Sequence, residues 1–141
     1  MGKHIVVLCS WTGKEVFKKL THELESNMVG GHSFTYLIGV EKKENLADII
    51  VTDTHLPFTK KDFSLFGKIK NPDIRLALHN KNGVLLILET KNSFTKRIAK
   101  NSKLVSVGPE NQLPLDIVLK GTFADNQQLY QKINEYITKL K

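Results

Sequence analysis

The sequence predicts an α/β fold: a three-layer α/β/α sandwich around a mostly parallel sheet of five or six strands, Rossmann-like in build. Three observations predict it. Apolar runs of strand length alternate along the chain with amphipathic stretches of helical length. The strand runs are apolar at consecutive positions, as in strands buried on both faces, and right-handed crossovers then set helices on both sides of the sheet. The chain has 141 residues, 40% of them apolar and 25% charged, which suits one domain spanning 1–141.

The elements follow in order. His4 to Cys9 is a short apolar run with two adjacent valines and reads as the first strand. Thr12 and Glu15 stand at capping-box spacing, so a helix is expected to open there. Val16, Phe17, Leu20 and Leu24 form its apolar stripe, and Gly30-Gly31 stops it. Ser33 to Val40 is rich in aromatic and β-branched residues and gives a second strand. From Glu41 to Phe66 the pattern weakens: a strand is expected within Ala47 to Thr54, then a long irregular connection from Pro57 onward.

Asn71-Pro72-Asp73 combines a cap residue, a proline at the first helical position and an acid favoured by the helix dipole. That short helix turns Ile74, Ala77 and Leu78 inward and ends near Asn80 to Gly83. Val84 to Leu88 is the strongest buried strand. Asn92 or Ser93 caps the next helix, with Phe94, Ile98 and Ala99 inside; Leu104 to Val107 and Leu115 to Leu119 are the last two strands. Asp125 caps a final helix whose Leu129, Ile133, Ile137 and Leu140 share one stripe.

Charge is uneven. The net is +7, yet residues 1–59 and 104–141 are close to neutral, and residues 60–103 carry eleven Lys plus Arg against three acids. Lys60, Lys61, Lys68, Lys70, Lys91, Lys96, Arg97 and Lys100 are therefore the candidate anion-binding set. Phe63 and Phe66 beside Lys68 and Lys70 mix aromatics with cations, a combination that serves bases and phosphates together. A solvated lysine-rich surface is the commoner meaning of such a run.

Ligands of wound α/β sheets bind beyond the carboxyl ends of strands. Trp11, Thr12, Gly13 and Lys14 follow the first strand, and Glu89 follows the central one. These five are the strand-end candidates. The Gly13-Lys14 pair before a helix suits a phosphate. It is no Walker A loop, since Glu15 stands where Ser or Thr binds magnesium, and one glycine makes no dinucleotide fingerprint. The loop also reads as an ordinary capped turn. Trp11 stacks a base or covers the edge of the core.

No catalytic set emerges. The histidines lack metal-ligand spacing, and His55, near Asp53, is the one to test as an acid–base group. Ser10 and Cys9 sit in no nucleophile elbow. Cys9, the lone cysteine, is expected to behave as a small buried apolar residue. No catalytic residue, metal or cofactor is expected, and no apolar run reaches the roughly 20 residues of a membrane span. A cytoplasmic location follows as the expectation.

Phe63 to Asn71, a short helix, a buried strand, a second short helix, Lys103 to Gly108 and a terminal amphipathic helix together resemble a family of small uncharacterised bacterial α/β proteins. The resemblance covers about residues 63–140. It implies an α/β fold and a bacterial cytoplasmic origin, and carries over no catalytic residues. Residues 84–108 also look like the N-terminal half of lipopolysaccharide heptosyltransferases, which hold a donor sugar nucleotide between two domains.

Three functions are thus expected in order. The first is a non-enzymatic basic module contacting RNA or a ribonucleoprotein. The second is a nucleotide or sugar-nucleotide binder, or an enzyme, using the strand-end loops. The third is a protein-interaction module, such as a homodimer formed through a sheet edge or apolar patch.

Overall fold

The computed structural model describes residues 2–64, 68–80, 83–88, 94–109, 116–119 and 126–140, with the side chains of 94–96, 109, 118, 119 and 126 excepted. Strands β1 (His4–Ser10), β2 (Ser33–Gly39), β3 (His55–Phe58), β4 (Gly83–Ile87), β5 (Val105–Pro109) and β6 (Ile117–Leu119) form one six-stranded sheet in the order β3-β2-β1-β4-β5-β6. Every pairing is parallel. The α/β expectation holds, and the sheet is wholly rather than mostly parallel. The order reverses between β1 and β4, which makes the loop after β1 the natural place to seek a ligand.

Helices α1 (Lys14–Asn27), α2 (Pro72–Leu78), α3 (Phe94–Asn101) and α4 (Asn126–Thr138) connect or follow the strands. Because side chains alternate along a strand, β1 sends Ile5, Val7 and Cys9 into one buried cluster and Val6 and Leu8 into another. The first cluster includes Leu24 of α1 and Tyr130, Ile133 and Ile137 of α4. The second includes Ile74 and Leu78 of α2 and Ile98 of α3. Each cluster thus draws on its own pair of helices. Cys9 is buried, its thiol 3.7 Å from the Leu37 carbonyl oxygen, as a small core residue should be.

Several local expectations change. Val16 is 55% exposed, so the inner stripe of α1 runs Phe17, Leu20, Leu24 and then Met28. Helix α1 ends at Asn27, and Gly30 and Gly31 then take positive φ, as the turn requires. No strand forms within Ala47 to Thr54. A 3-10 helix, Lys43–Asp48, ends at the start of that stretch, and the strand appears later, at β3, with Pro57 inside. The described part of the last strand begins at Ile117, and β5 starts one residue later than Leu104. Asn71 caps α2 as expected, accepting from the Asp73 and Ile74 amides. The cap residues proposed for α3 and α4, Asn92 or Ser93 and Asp125, lie outside the described residues.

Pro57 is tolerated because β3 is an edge strand. Tyr36 N–H donates to the Thr54 carbonyl and Val40 N–H to that of Phe58, so even-numbered positions of β3 face β2 and odd-numbered ones face outward. Pro57 therefore lacks an N–H only where no ladder partner exists. The neighbouring outward amides are taken. His55 N–H donates to Thr52 Oγ1 at 3.1 Å, and Thr59 N–H to Asp62 Oδ2 at 2.8 Å. The carbonyls of His55 and Thr59 accept from the amides of Thr52 and Asp62. The outward edge of β3 is thus largely closed to a further strand.

Candidate functional site

The carboxyl ends of β1, β2 and β3 finish level, since Ser10 is in register with Gly39 and Gly39 with Phe58. Trp11 N–H continues the ladder by donating to the Gly39 carbonyl at 2.9 Å. The chain then turns into α1 through Gly13, and beyond β2 it turns into the 3-10 helix. Between these two turns lies a cleft of about 730 Å³. One wall is Ser10, Trp11, Thr12, Gly13 and Lys14. The other is Gly39, Glu41, Lys42, Asn45 and Asp48.

The capping box expected at the start of α1 does not form. Gly13, not Thr12, is the N-cap, and it makes no side-chain cap hydrogen bond. The cause lies in the backbone. Gly13 takes φ 124° and ψ 158°, a region open essentially to glycine alone, and it sets the helix to begin at Lys14. A Cβ at Gly13 would meet no atom within 4 Å, so the requirement is conformational and not one of space. A 14-residue helix thereby presents first-turn N–H groups, with their partial positive charge, to the loop that lines the cleft.

Four of the five strand-end candidates, Trp11, Thr12, Gly13 and Lys14, thus line one cleft. Glu89 lies outside the described residues. Glu41, Lys42, Asn45 and Asp48 were missed from the sequence. The available signal was the polar run directly after the Ser33 to Val40 strand, a second strand end on the same side as the first.

A second, more apolar groove of about 370 Å³ adjoins the cleft, sharing Trp11, Lys14 and Asp48 with it. Phe17 is its central ring. It lies 5.8 Å from Trp11, 5.6 Å edge-on from Tyr36 and 5.5 Å edge-on from His55. His55 stacks on Tyr36 at 5.6 Å and is held by Thr52 Oγ1, 2.9 Å from Nδ1. It is therefore a half-buried strand residue and not an exposed loop histidine. Burial and the Glu25 carboxylate raise the pKa of the Tyr36 phenol, which stays protonated.

The cationic candidates fall elsewhere. Lys60 and Lys61 lie in a 3-10 helix just past β3, capped by Thr59 and Asp62. Lys43, from the corresponding segment after β2, is close enough to lower the Lys61 pKa. Phe63 and Ile69 form an antiparallel bridge that sets Lys68 and Lys70 on either side of Ile69, both exposed. Arg97 and Lys100 are exposed on α3, which also carries Lys96. Lys91 lies outside the described residues. Phe63 is 6% exposed, packed against Phe58 and covered by Arg97 at 5.5 Å. It is a core residue and offers no free ring to a base, which corrects the mixed aromatic–cation reading; Phe66 lies outside the described residues.

Among the described residues, no group of three His, Cys, Asp or Glu side chains is placed to hold a metal ion. No described helix is long and apolar enough to cross a membrane. Comparison with known proteins finds no family model, no curated protein and no solved structure that matches the chain.

Proposed function

We propose that the chain binds a small phosphate-bearing ligand of the nucleotide or sugar-nucleotide class in the cleft at the carboxyl ends of β1 and β2. One observation carries this reading: the start of α1, which follows the strand beside the order reversal, has no side-chain cap and is set by a glycine at φ 124° in the cleft wall. Lys14 and Lys42 add cationic charge to the same cleft. Glu41, just past β2, stands where such folds place the carboxylate that accepts from ribose hydroxyls. The test is a thermal-shift screen of nucleotides and sugar nucleotides. A ligand at a hundred times its Kd should stabilise the protein by about 2.7 kcal/mol. Lys14→Ala should reduce the shift without lowering the melting temperature of the free protein. A shift that survives Lys14→Ala at full size overturns the assignment.

A second reading, contact with RNA through the basic segment, draws on a different observation. Residues 60–103 supply α2 and α3, whose buried residues all join the second cluster, which supports a basic face on that side of the sheet. Among the described residues the only ion pair joins Lys132 and Glu135 on α4, and Asp62 is engaged in capping. None of Lys60, Lys61, Lys68, Lys70, Arg97 and Lys100 forms an ion pair with a described carboxylate. Binding of a generic RNA should weaken steeply with salt, the slope in log–log form approaching about −0.7 per phosphate contacted. Absence of binding at low salt overturns this reading.

A further inference from the structure

We infer that the apolar groove beside the cleft receives a nucleobase, so that the ligand is a nucleotide lying across Trp11 with its phosphates at Gly13 and Lys14. This rests on the small-ligand reading above and specifies its ligand. The two cavities are continuous in composition: Trp11, Lys14 and Asp48 belong to the walls of both. They differ in character. The cleft is bounded mainly by glycines, hydroxyls, lysines and carboxylates, and the groove adds Phe17, Ile49, Ile50 and His55 to the Trp11 they share, with Lys18 also lining it. A ligand that fills both needs a charged end and a flat apolar end.

The aromatic walls favour a planar ring over a sugar. Sugar hydroxyls laid against those rings would lose hydrogen bonds to water, and the groove's polar residues, Lys14, Lys18, Thr21, Asp48 and Thr52, would replace only some of them. A base presents π-faces to Trp11 and His55 and leaves its polar edge for those threonines. At about 370 Å³ the groove falls within the range of small-molecule sites. Ile50 supports the same occupant. It is 77% exposed on the groove's rim, and a base lying in the groove would cover it.

Trp11 is the only tryptophan in the chain, so its fluorescence reports on this position directly. The full chain is titrated with the 5'-monophosphates of adenosine, guanosine, cytidine and uridine, and separately, by calorimetry, with ribose 5-phosphate and inorganic pyrophosphate. At least one nucleoside monophosphate should quench Trp11 saturably and bind about ten- to a hundredfold more tightly than ribose 5-phosphate, the usual worth of one stacked base. Ile50→Ser, at an exposed position, should weaken that nucleotide severalfold and leave pyrophosphate affinity unchanged. Lys14→Ala should weaken both. Equal affinity for ribose 5-phosphate and every nucleotide overturns the base assignment and leaves the phosphate site standing. Failure of every phosphate compound to bind overturns both.

Discussion

His4 stands at the amino end of β1 with Ser33 Oγ 2.7 Å from Nδ1 and Thr35 Oγ1 3.2 Å from Nε2. Neither neighbour is charged, and burial lowers the imidazole pKa from its ordinary 6.5 even though Asp53 and Asp73 line the same depression. The sign follows from proton linkage. Below pH 6.5 the unfolded chain binds a proton at His4 that the folded chain resists, so the unfolded state gains. Stability from this group is complete above 6.5 and falls as pH drops through the lowered value. Urea unfolding at successive pH values should show this loss in the natural chain and a smaller one in His4→Gln. Identical pH profiles for the two would remove the effect. Gly13 shows the limit of reading single residues. Thr12 and Glu15 have the spacing of a cap, but the glycine between them fixes where the helix begins, and neighbour spacing does not reveal its φ.

Elements were legible where hydrophobic period and punctuation agree. Asn71-Pro72-Asp73 states a helix start in three residues, and the structure places the Asn71 Oδ1 acceptor 2.9 Å from the Asp73 amide. Replacing Asn71 with alanine should cost about 1 kcal/mol of stability in chemical denaturation. Asn71→Asp, which keeps an acceptor oxygen at that place, should cost much less; equal losses would mean that the hydrogen bond is not the source. The consecutive apolar residues of β1 and β4 likewise announce strands covered on both faces. Strand β3 was hidden for a physical reason. His55-Leu56-Pro57-Phe58 is four residues long and contains a proline, a sequence that argues against any strand with two neighbours. Only its edge position makes it possible, and edge position is a property of the whole sheet. The apolar Ile49-Ile50-Val51 run drew the expected strand toward itself, although Ile50 and Val51 are exposed.

At the scale of the molecule, α/β class and parallel pairing follow from alternation of elements, whereas strand order does not. The order brings the segment after β2 beside the loop after β1 and so builds the cleft. That is why Trp11 to Lys14 could be proposed from the sequence and Glu41, Lys42, Asn45 and Asp48 could not. Order also gathers the basic segment. Ile74 and Leu78 of α2 and Ile98 of α3 join one buried cluster, so the two helices of this segment pack on the same side of the sheet.

The closed flank of β3 bears on crowding. A strand arriving from another chain must alternate donors with acceptors along a receptive border. Across His55, Pro57 and Thr59 it meets amides already committed or missing, and the Pro57 carbonyl alone has no counterpart there. Templated growth of ribbons or fibrils from this side has no first rung. A short, proline-bearing final strand thereby lets one end of a parallel sheet stand in solvent without recruiting its neighbours.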